Sequence, residues 1–254
     1  MVAAKLANSI TIVTAWPCRR AILGWFVGLE KMGVPAATDV ERFFTEADRT
    51  AVENAVREAE KHTAGEIVPC AVSRSDHYED AHWKGAVIGM LLGTLIGVGV
   101  QRALGFWGWS WFWMTLPMVG AGLLGFLLTL WSAPVRRLLV PAAVLDHHVK
   151  QRALAAFLEY EVFRTHDRTG ILIFLSLFER RVLVLADSGI SAHVGQHEWD
   201  GIVTDIVAGI RAGRPGPALA QAIGRCGELL ARHGISARSH DVDELPDQLR
   251  TTEE

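Results

Sequence analysis

Four charged side chains mark the positions at which this chain has the residue types for chemistry. Glu66 opens one predicted strand, and Asp167 and Arg168 come just before a second. Asp187 directly follows a third predicted strand. The second and third strands are joined by a short turn and must be antiparallel, while the first and second are far enough apart in sequence to run parallel. With these directions, all four side chains lie at one rim of one sheet.

Two interpretations of this rim stay open. Carboxylate oxygens are the ligands that Ca²⁺ and Mg²⁺ prefer, so Glu66, Asp167 and Asp187 predict a divalent-cation site. Arg168 and Thr169 would then offer a guanidinium and a hydroxyl group to a phosphate or another anion. The alternative is that Arg168 pairs with one of the carboxylates and that the group is a structural ion pair.

No nucleotide or organic cofactor is predicted, because the sequence contains no Walker loop, dinucleotide fingerprint or nucleophile elbow. Cys226 and Arg232 have the spacing of a cysteine-phosphatase loop. They lie in a predicted amphipathic helix, whereas a phosphate cradle needs free backbone amides before a helix. We therefore interpret this match as accidental.

Three further groups of polar residues have spacings that can suit a metal ion, and a solvated segment explains the first two more simply. They are the segment 76–82, the run 146–148, and the pair His193 and His197 with the adjacent Glu198. The two histidines are four residues apart, but Gly195 lies between them and no third ligand is evident. We therefore do not predict a metal site at any of these three groups.

A long apolar stretch interrupts the elements that position these residues. Between Lys84 and Arg136 the only formal charge is that of Arg102. A helix needs about 20 apolar residues to cross a hydrocarbon core. The stretch therefore predicts a two-helix transmembrane hairpin over residues 84–135. Small residues at every fourth position of its first helix permit close helix packing, inside the hairpin or with another subunit. These residues are Gly85, Gly89, Gly93 and Gly97.

Positive charge flanks both outer ends of the predicted hairpin. Lys84 precedes the hairpin, and Arg136 and Arg137 follow it, whereas Arg102 lies alone near the turn. By the positive-inside rule, both outer ends face the cytoplasm. The rest of the chain is therefore expected on the cytoplasmic side.

The remaining sequence predicts one α/β domain that is inserted around the hairpin. Helical and strand patterns alternate before and after the hairpin, which favours helices on a small mixed sheet. We assign residues 41–83 and 136–235 to this domain and residues 236–254 to a loosely held polar tail. Pro69 predicts that the first strand of the domain is an edge strand or contains a bulge.

The first 40 residues have two open interpretations. Residues 1–40 form an N-terminal segment that is either interfacial, with a short helix, or disordered. The alternative is that translation starts later, at Met32. The composition excludes some partners. A net charge of −3 does not favour a nucleic-acid partner, and three widely spaced cysteines suit neither a disulfide framework nor a zinc site.

Four segments, in a fixed order, carry a family resemblance. They are FFTEADRTAVENAVREAEKHTAGEI (43–67), HDRTGILIFLSLFERRVLVLADSGI (166–190), VGQHEWDGIV (194–203) and a last helix that ends in GELLARHG. Together they resemble the TPM-domain family, in particular its bacterial membrane proteins with a two-helix insert, which are related to plant thylakoid-lumen and photosystem-repair proteins. The resemblance implies an α/β/α sandwich with a small mixed sheet. It implies no single function, because the family has been linked to acid phosphatase activity, metal binding, and the assembly or repair of membrane complexes.

The expected function is that of a binding or accessory factor, anchored in the bacterial inner membrane, for the assembly or maintenance of other membrane proteins. Its expected partners are the lipid bilayer and those membrane proteins. The alternative is a metal-assisted phosphomonoesterase, in which the rim carboxylates hold the ion and Arg168 holds the phosphate. An enzyme needs a concave pocket, whereas a binding factor needs an exposed apolar surface. The plant relatives act in the thylakoid lumen, and the cytoplasmic placement expected here departs from them.

Overall fold

The computed structural model describes residues 11–14, 40–104, 111–235 and 245–252. The chain divides into two compact units. The α/β unit comprises residues 1–75 and 146–254, and the hairpin unit comprises residues 76–145. Most of the N-terminal segment, and the centre of the predicted turn at residues 105–110, lie outside the described residues.

The described strands form one mixed sheet in the order β1–β4–β3–β2–β5. The strands are β1 (Thr11–Thr14), β2 (Glu66–Val72), β3 (Gly170–Ser176), β4 (Arg181–Ala186) and β5 (Arg250–Thr252). As predicted, β2 is parallel to β3, and β3 is antiparallel to β4. β5 adds in parallel to β2, and β1 adds antiparallel to β4.

The helices of the chain, numbered in order, belong to both units. They are α1 (Val40–Phe43), α2 (Glu46–Glu60), α3 (Asp80–Leu104), α4 (Trp111–Trp131), α5 (Ala133–Leu139), α6 (Ala142–Glu159), α7 (Ser188–Ser191), α8 (Gln196–Arg211) and α9 (Pro215–Arg232). The start of α2 has a capping box, in which the Thr45 hydroxyl accepts from the Asp48 N–H and the Asp48 carboxylate accepts from the Thr45 N–H. This box satisfies two backbone donors that the first helical turn leaves open.

Apolar side chains alternate between the two faces of the sheet, and helices cover both faces. Residues such as Ile171 and Val184 pack in one core with α2, α8 and α9. Their neighbours Leu172 and Leu185 pack in a second core with α6, where Phe157 is fully buried. Strands buried on both faces explain the continuous apolar runs in the sequence. The result is an α/β fold built on a mixed sheet.

Pro69 lies inside β2, which is not an edge strand because β3 and β5 flank it. The pairing at the start of β2 explains how the sheet accommodates a proline. The N–H of Glu66 donates to the carbonyl of Thr169, next to β3, over 3.2 Å. Bonding directions alternate along a strand, so Pro69, three residues on, faces away from β3. Its missing N–H therefore costs the β2–β3 ladder no hydrogen bond.

The side of β2 that faces β5 is only partly available for pairing. The N–H of Ile67 donates to the Glu60 carboxylate over 2.9 Å, and Pro69 has no N–H. β5 accordingly pairs with residues 70–72 alone. An N–H that is already hydrogen-bonded to a side chain and a proline that has no N–H both limit further strand pairing along this part of β2.

The prediction of a loosely held polar tail over residues 236–254 is wrong for residues 245–252. These residues include β5, Leu249 is buried in the core to which α2 contributes, and Asp247 forms an ion pair of 3.3 Å with Arg57. A strand of three polar residues produces no hydrophobic pattern, so the sequence does not reveal it.

The N-terminal segment supplies the opposite edge of the sheet. β1 pairs with β4 over four residues, and Thr11 lies opposite Ala186. This pairing corrects the interfacial or disordered interpretation for residues 11–14, whereas residues 15–39 lie outside the described part of the chain. Both edges of the sheet thus come from segments remote in sequence from its central strands.

In the hairpin unit, the apolar parts of α3 and α4 have mean hydropathies of 1.6 and 1.7 and are long enough to cross a membrane. The two helices pack antiparallel through the glycine stripe of α3. A Cβ atom at Gly89 would overlap the Ala121 carbonyl, and one at Gly93 would overlap the carbonyl of Pro117. The structure therefore confirms the use of the stripe inside the hairpin.

Candidate functional site

The amino-terminal rim of the sheet, where β2 and β3 begin and β4 ends, holds the residues predicted to do chemistry. Glu66 lies opposite Gly170 in the β2–β3 register, and the N–H of Asp187 donates to the Gly170 carbonyl over 3.0 Å. Glu66 and Asp187 are 8% and 3% exposed. The prediction that strand directions collect these residues at one rim is confirmed.

Gly170 separates the two carboxylates in the sheet. A Cβ atom at this position would overlap the carbonyl oxygen of Val162. The Val162 backbone therefore occupies the space that a side chain at position 170 would take. Any larger residue at position 170 would displace this backbone.

Arg168 forms the ion pair that one interpretation predicted. Its guanidinium lies 3.6 Å from the Asp187 carboxylate and 5.9 Å from the centre of the Phe163 ring. The backbone of Arg168 is left-handed, with φ at 58°, which is uncommon for a residue with a side chain. Asp187 also caps α7, because its carboxylate accepts from the Ser188 N–H over 2.6 Å. The ion pair is half-exposed on the arginine side, so solvent weakens it.

The other two predicted site residues have local partners. The Thr169 hydroxyl donates to the Ala64 carbonyl over 2.7 Å, and Asp167 contacts the His166 ring nitrogen at 2.9 Å. Thr169 therefore fixes the loop before β2. Anion binding by Arg168 and Thr169, and the phosphomonoesterase activity that depends on it, stay predictions.

The predicted cation site is only partly assembled. Within residues 40–104, 111–235 and 245–252, no three His, Cys, Asp or Glu side chains come together in a group that could hold a metal ion. Glu66 and Asp187 share the rim, but Asp167 is turned to His166. Binding of Ca²⁺ or Mg²⁺ by Glu66, Asp167 and Asp187 stays a prediction that a calorimetric titration of each ion would test.

The carboxyl-terminal rim, where β2 and β3 end, holds a buried polar cluster that the sequence did not reveal. Glu179 is fully buried in the β3–β4 turn. Its carboxylate accepts from the Ser75 N–H over 2.9 Å and from the Ser176 hydroxyl. The two serine hydroxyls lie 3.0 Å apart. These bonds join the end of β2 to the β3–β4 turn, and they supply the partners that a buried carboxylate needs.

A buried ion pair lies at the same end of the sheet. Arg181, at the start of β4, donates to the Asp146 carboxylate over 2.7 Å, and their side chains are only 9% and 13% exposed. Ser75 and Asp146 are the residues at which the chain leaves and re-enters the α/β unit. Both crossing points are therefore bonded to the β3–β4 hairpin. In the sequence, the sign of these buried polar contacts is a pair of charged residues, Glu179 and Arg181, between two apolar runs. By itself, such a pair suggests a solvated turn.

The two histidines with helical spacing, His193 and His197, do not share one helix. α8 begins at Gln196, after His193, with Gly195 as its N-cap. Glu198 closes this cap by accepting from the Gly195 N–H, and it lies 3.0 Å from the ring nitrogen of His233. Glu198 therefore stabilises the start of α8.

The hydrogen bond from His233, together with that from Gly195, holds the pKa of Glu198 below its usual range. The stability that the ionised Glu198 adds is complete above the ordinary glutamate pKa of about 4.3. It is lost as the pH falls through the lower pKa of the folded state. In detergent at pH 7, the urea midpoint of the wild-type full chain should exceed that of the Glu198→Gln variant. At acid pH the two midpoints should become equal. Replacement of the exposed Glu228 by Gln is the control, and an equal pH trend for both variants would contradict this role.

Two cysteines lie within the cores. Burial raises the pKa of Cys70 and that of Cys226 to about 12. Cys226 lies inside α9, as the interpretation of its spacing with Arg232 as accidental requires. A thiol with this pKa is not a phosphatase nucleophile at neutral pH.

Neither core cysteine is expected to react with N-ethylmaleimide in the folded protein at pH 8. Their raised pKa values lower the thiolate fraction roughly a thousandfold relative to a free cysteine, and burial excludes the reagent. Mass spectrometry of a Cys18→Ser variant should find both thiols unmodified until urea unfolds the chain. Rapid labelling of Cys226 before unfolding would contradict its placement in the core.

The comparisons with known proteins show the fold and nothing further. No protein-family model matches the chain, and no curated protein sequence matches it. Among solved structures, the chain is similar to the BA42 protein of the psychrophilic bacterium Bizionia argentinensis, whose structure was determined by NMR. The two are 19% identical, the TM-score is 0.51, and the match covers 84% of this chain and 99% of BA42.

Proposed function

We propose that this chain is an integral protein of the bacterial inner membrane, in which α3 and α4 anchor a TPM-like α/β/α sandwich. We further propose that the protein is a binding or accessory factor in the assembly or maintenance of other membrane proteins. The proposed cytoplasmic location of the α/β unit is supported by Lys84, Arg136 and Arg137, which flank the outer ends of the hairpin. The two-helix insert and the order of the α/β elements support the family resemblance.

The outer surface of the hairpin is the observation that carries the proposal. Large aliphatic side chains are exposed along both helices. On α3 they include Val87, Leu91, Leu92, Leu95 and Ile96, and on α4 they include Leu116, Val119, Leu123, Leu124 and Leu128. The glycine stripe of α3 packs against α4, so these side chains lie on the outer surface of the hairpin. An apolar surface of this extent needs a lipid or protein partner.

Aromatic residues mark both ends of this apolar surface. Trp83 and Trp131 lie at the outer ends of α3 and α4, and Trp111 and Trp113 lie at the turn end of α4. Trp113 and Trp131 are 18 residues apart, which is about 27 Å along a helix. This length is close to the thickness of about 30 Å of a hydrocarbon core. Tryptophan at both levels is typical of the two membrane interfaces.

The described surface of the α/β unit has a different character. Among its described residues, only Leu158 exposes a large apolar side chain. The hairpin would therefore make any apolar contacts with other membrane proteins, and the α/β unit would contact partners through polar groups.

Alkaline carbonate extraction tests the anchor. The wild-type chain should stay in the membrane pellet, and a double variant, Leu92→Arg with Leu123→Arg, should be released. An arginine near the centre of a span costs about 2.5–3.5 kcal/mol in insertion. Leu158→Arg places the same change on the α/β unit and should leave the chain in the pellet. Release of the wild-type chain by carbonate would contradict the proposal.

The accessory role needs its own test. Quantitative proteomics of inner membranes should show that deletion of the protein lowers the abundance of a subset of membrane proteins and that the wild-type chain restores it. The double arginine variant should fail to restore it if the hairpin is required. An unchanged inner-membrane proteome after deletion would contradict an accessory role while leaving the anchor intact.

A further inference from the structure

The outer end of the hairpin, which we call the basal end, combines aromatic and cationic side chains in one place. Trp83 and Trp131 are 68% and 82% exposed there. Lys84 is exposed directly after Trp83 on α3. Helix α5 begins two residues after Trp131 and carries Arg136 and Arg137 in its last turn.

The path of the chain keeps the three cations together. Ser132, between α4 and α5, has an extended backbone, with φ at −111° and ψ at 100°, so α5 does not continue α4. α5 instead contacts both α3 and α4. Its two arginines thus lie beside the outer end of the helix that carries Lys84.

α5 has the composition of a short segment at a membrane surface. Leu138 is 71% exposed, and it immediately follows the two arginines. Long cationic side chains can lay their aliphatic parts along apolar surface and extend their charges toward headgroups. Clusters of Lys and Arg next to a span attract anionic lipids.

From these observations we propose that the basal end is a binding site for the headgroup of an anionic phospholipid. Lys84, Arg136 and Arg137 contact its phosphate and its neighbouring anionic groups, and Trp83 and Trp131 lie at the level of the glycerol backbone. The acidic residues at this end, Asp76, Glu79 and Asp80, precede Trp83 in the sequence. The inference rests on the proposed anchor, because it requires an inserted hairpin.

The test uses the full chain in phosphatidylcholine vesicles that contain spin-labelled lipid. The protein-restricted fraction of spin-labelled phosphatidylglycerol is compared with that of spin-labelled phosphatidylcholine at one ionic strength. Each cation near the membrane surface raises the binding constant for an anionic lipid roughly fivefold. The wild-type chain should prefer phosphatidylglycerol by about fivefold or more, and the triple variant Lys84→Gln, Arg136→Gln, Arg137→Gln should show equal fractions.

Two further arms identify the ligand and the site. Arg102→Gln removes the cation near the turn and should leave the preference unchanged. Inorganic phosphate at the same ionic strength should also leave it unchanged, because the apolar and aromatic parts of the site recognise a lipid. Loss of the preference on adding phosphate would overturn the lipid assignment in favour of a simple phosphate site.

The inference and the proposed anchor fail in different ways. If the wild-type chain does not float with the vesicles, the anchor fails and the inference fails with it. If the chain floats but shows no preference, or if the triple variant keeps the full preference, only the lipid site is overturned.

Discussion

Replacement of Asp146 by alanine is expected to lower the free energy of unfolding of the α/β unit by about 3–5 kcal/mol. The carboxylate of Asp146 accepts from Arg181 over 2.7 Å, and both side chains are almost fully enclosed. Without Asp146, the guanidinium stays buried with its principal charge partner removed. The loss should appear as a lower urea midpoint of the full chain in detergent, followed by far-UV circular dichroism.

A double variant distinguishes the ion pair from simple packing. Asp146→Leu combined with Arg181→Met removes both charges and keeps most of the volume, and such replacements are often neutral or stabilising. We therefore expect the double variant to recover most of the stability that Asp146→Ala loses. A double variant as unstable as the single one would contradict the view that an uncompensated charge causes the loss.

Replacement of Gly89 by leucine is expected to separate α3 from α4. A Cβ atom at Gly89 would overlap the backbone carbonyl of Ala121, so the new side chain has no space between the helices. Overpacking usually costs about 1–3 kcal/mol and can cost more against backbone. The thermal midpoint of the purified full chain in detergent should fall, and proteolysis of the hairpin should become faster.

Gly120 offers a matched control on the facing helix. Apart from the adjacent residues and backbone of its own helix, nothing lies within 4 Å of a Cβ atom at Gly120, so leucine there points into open space. Gly120→Leu should leave the midpoint unchanged or raise it slightly, because leucine favours a helix more than glycine does. Equal losses from both glycine variants would contradict the packing of the hairpin through the stripe on α3.

The central strands and the hairpin were predictable because each leaves a local pattern. The runs that became β3 and β4 are continuous and apolar, and their short connection fixes an antiparallel pair. That pairing, together with parallel β2, places Glu66 and Asp187 at one rim. The two long apolar helices, α3 and α4, follow from the length of the charge-poor stretch.

The parts that the sequence did not reveal depend on contacts between distant residues. β1 and β5 are four and three residues long, and their pairing with β4 and β2 is set by the tertiary structure. The buried cluster at Glu179 joins residues that are 104 positions apart in sequence. Hydrophobic periodicity carries no information on such pairs.

The rim prediction shows the limit of topological reasoning from the sequence. Strand order correctly brought Glu66 and Asp187 to the same end of the sheet. It did not determine where each carboxylate points, and Arg168 and His166 contact Asp187 and Asp167. Side-chain partners at a loop depend on backbone details, such as the left-handed φ of Arg168, that residue types do not specify.

Cysteine accessibility in intact cells tests the central claim, a cytoplasmic α/β unit held by a hairpin that spans the membrane. In a chain without native cysteines, one variant carries Arg214→Cys in the loop before α9, and another carries Arg102→Cys near the turn of the hairpin. A membrane-impermeant maleimide should label position 102 in intact cells and label position 214 only after permeabilisation. The reverse pattern would contradict the cytoplasmic placement, and identical behaviour at both positions would contradict a spanning hairpin.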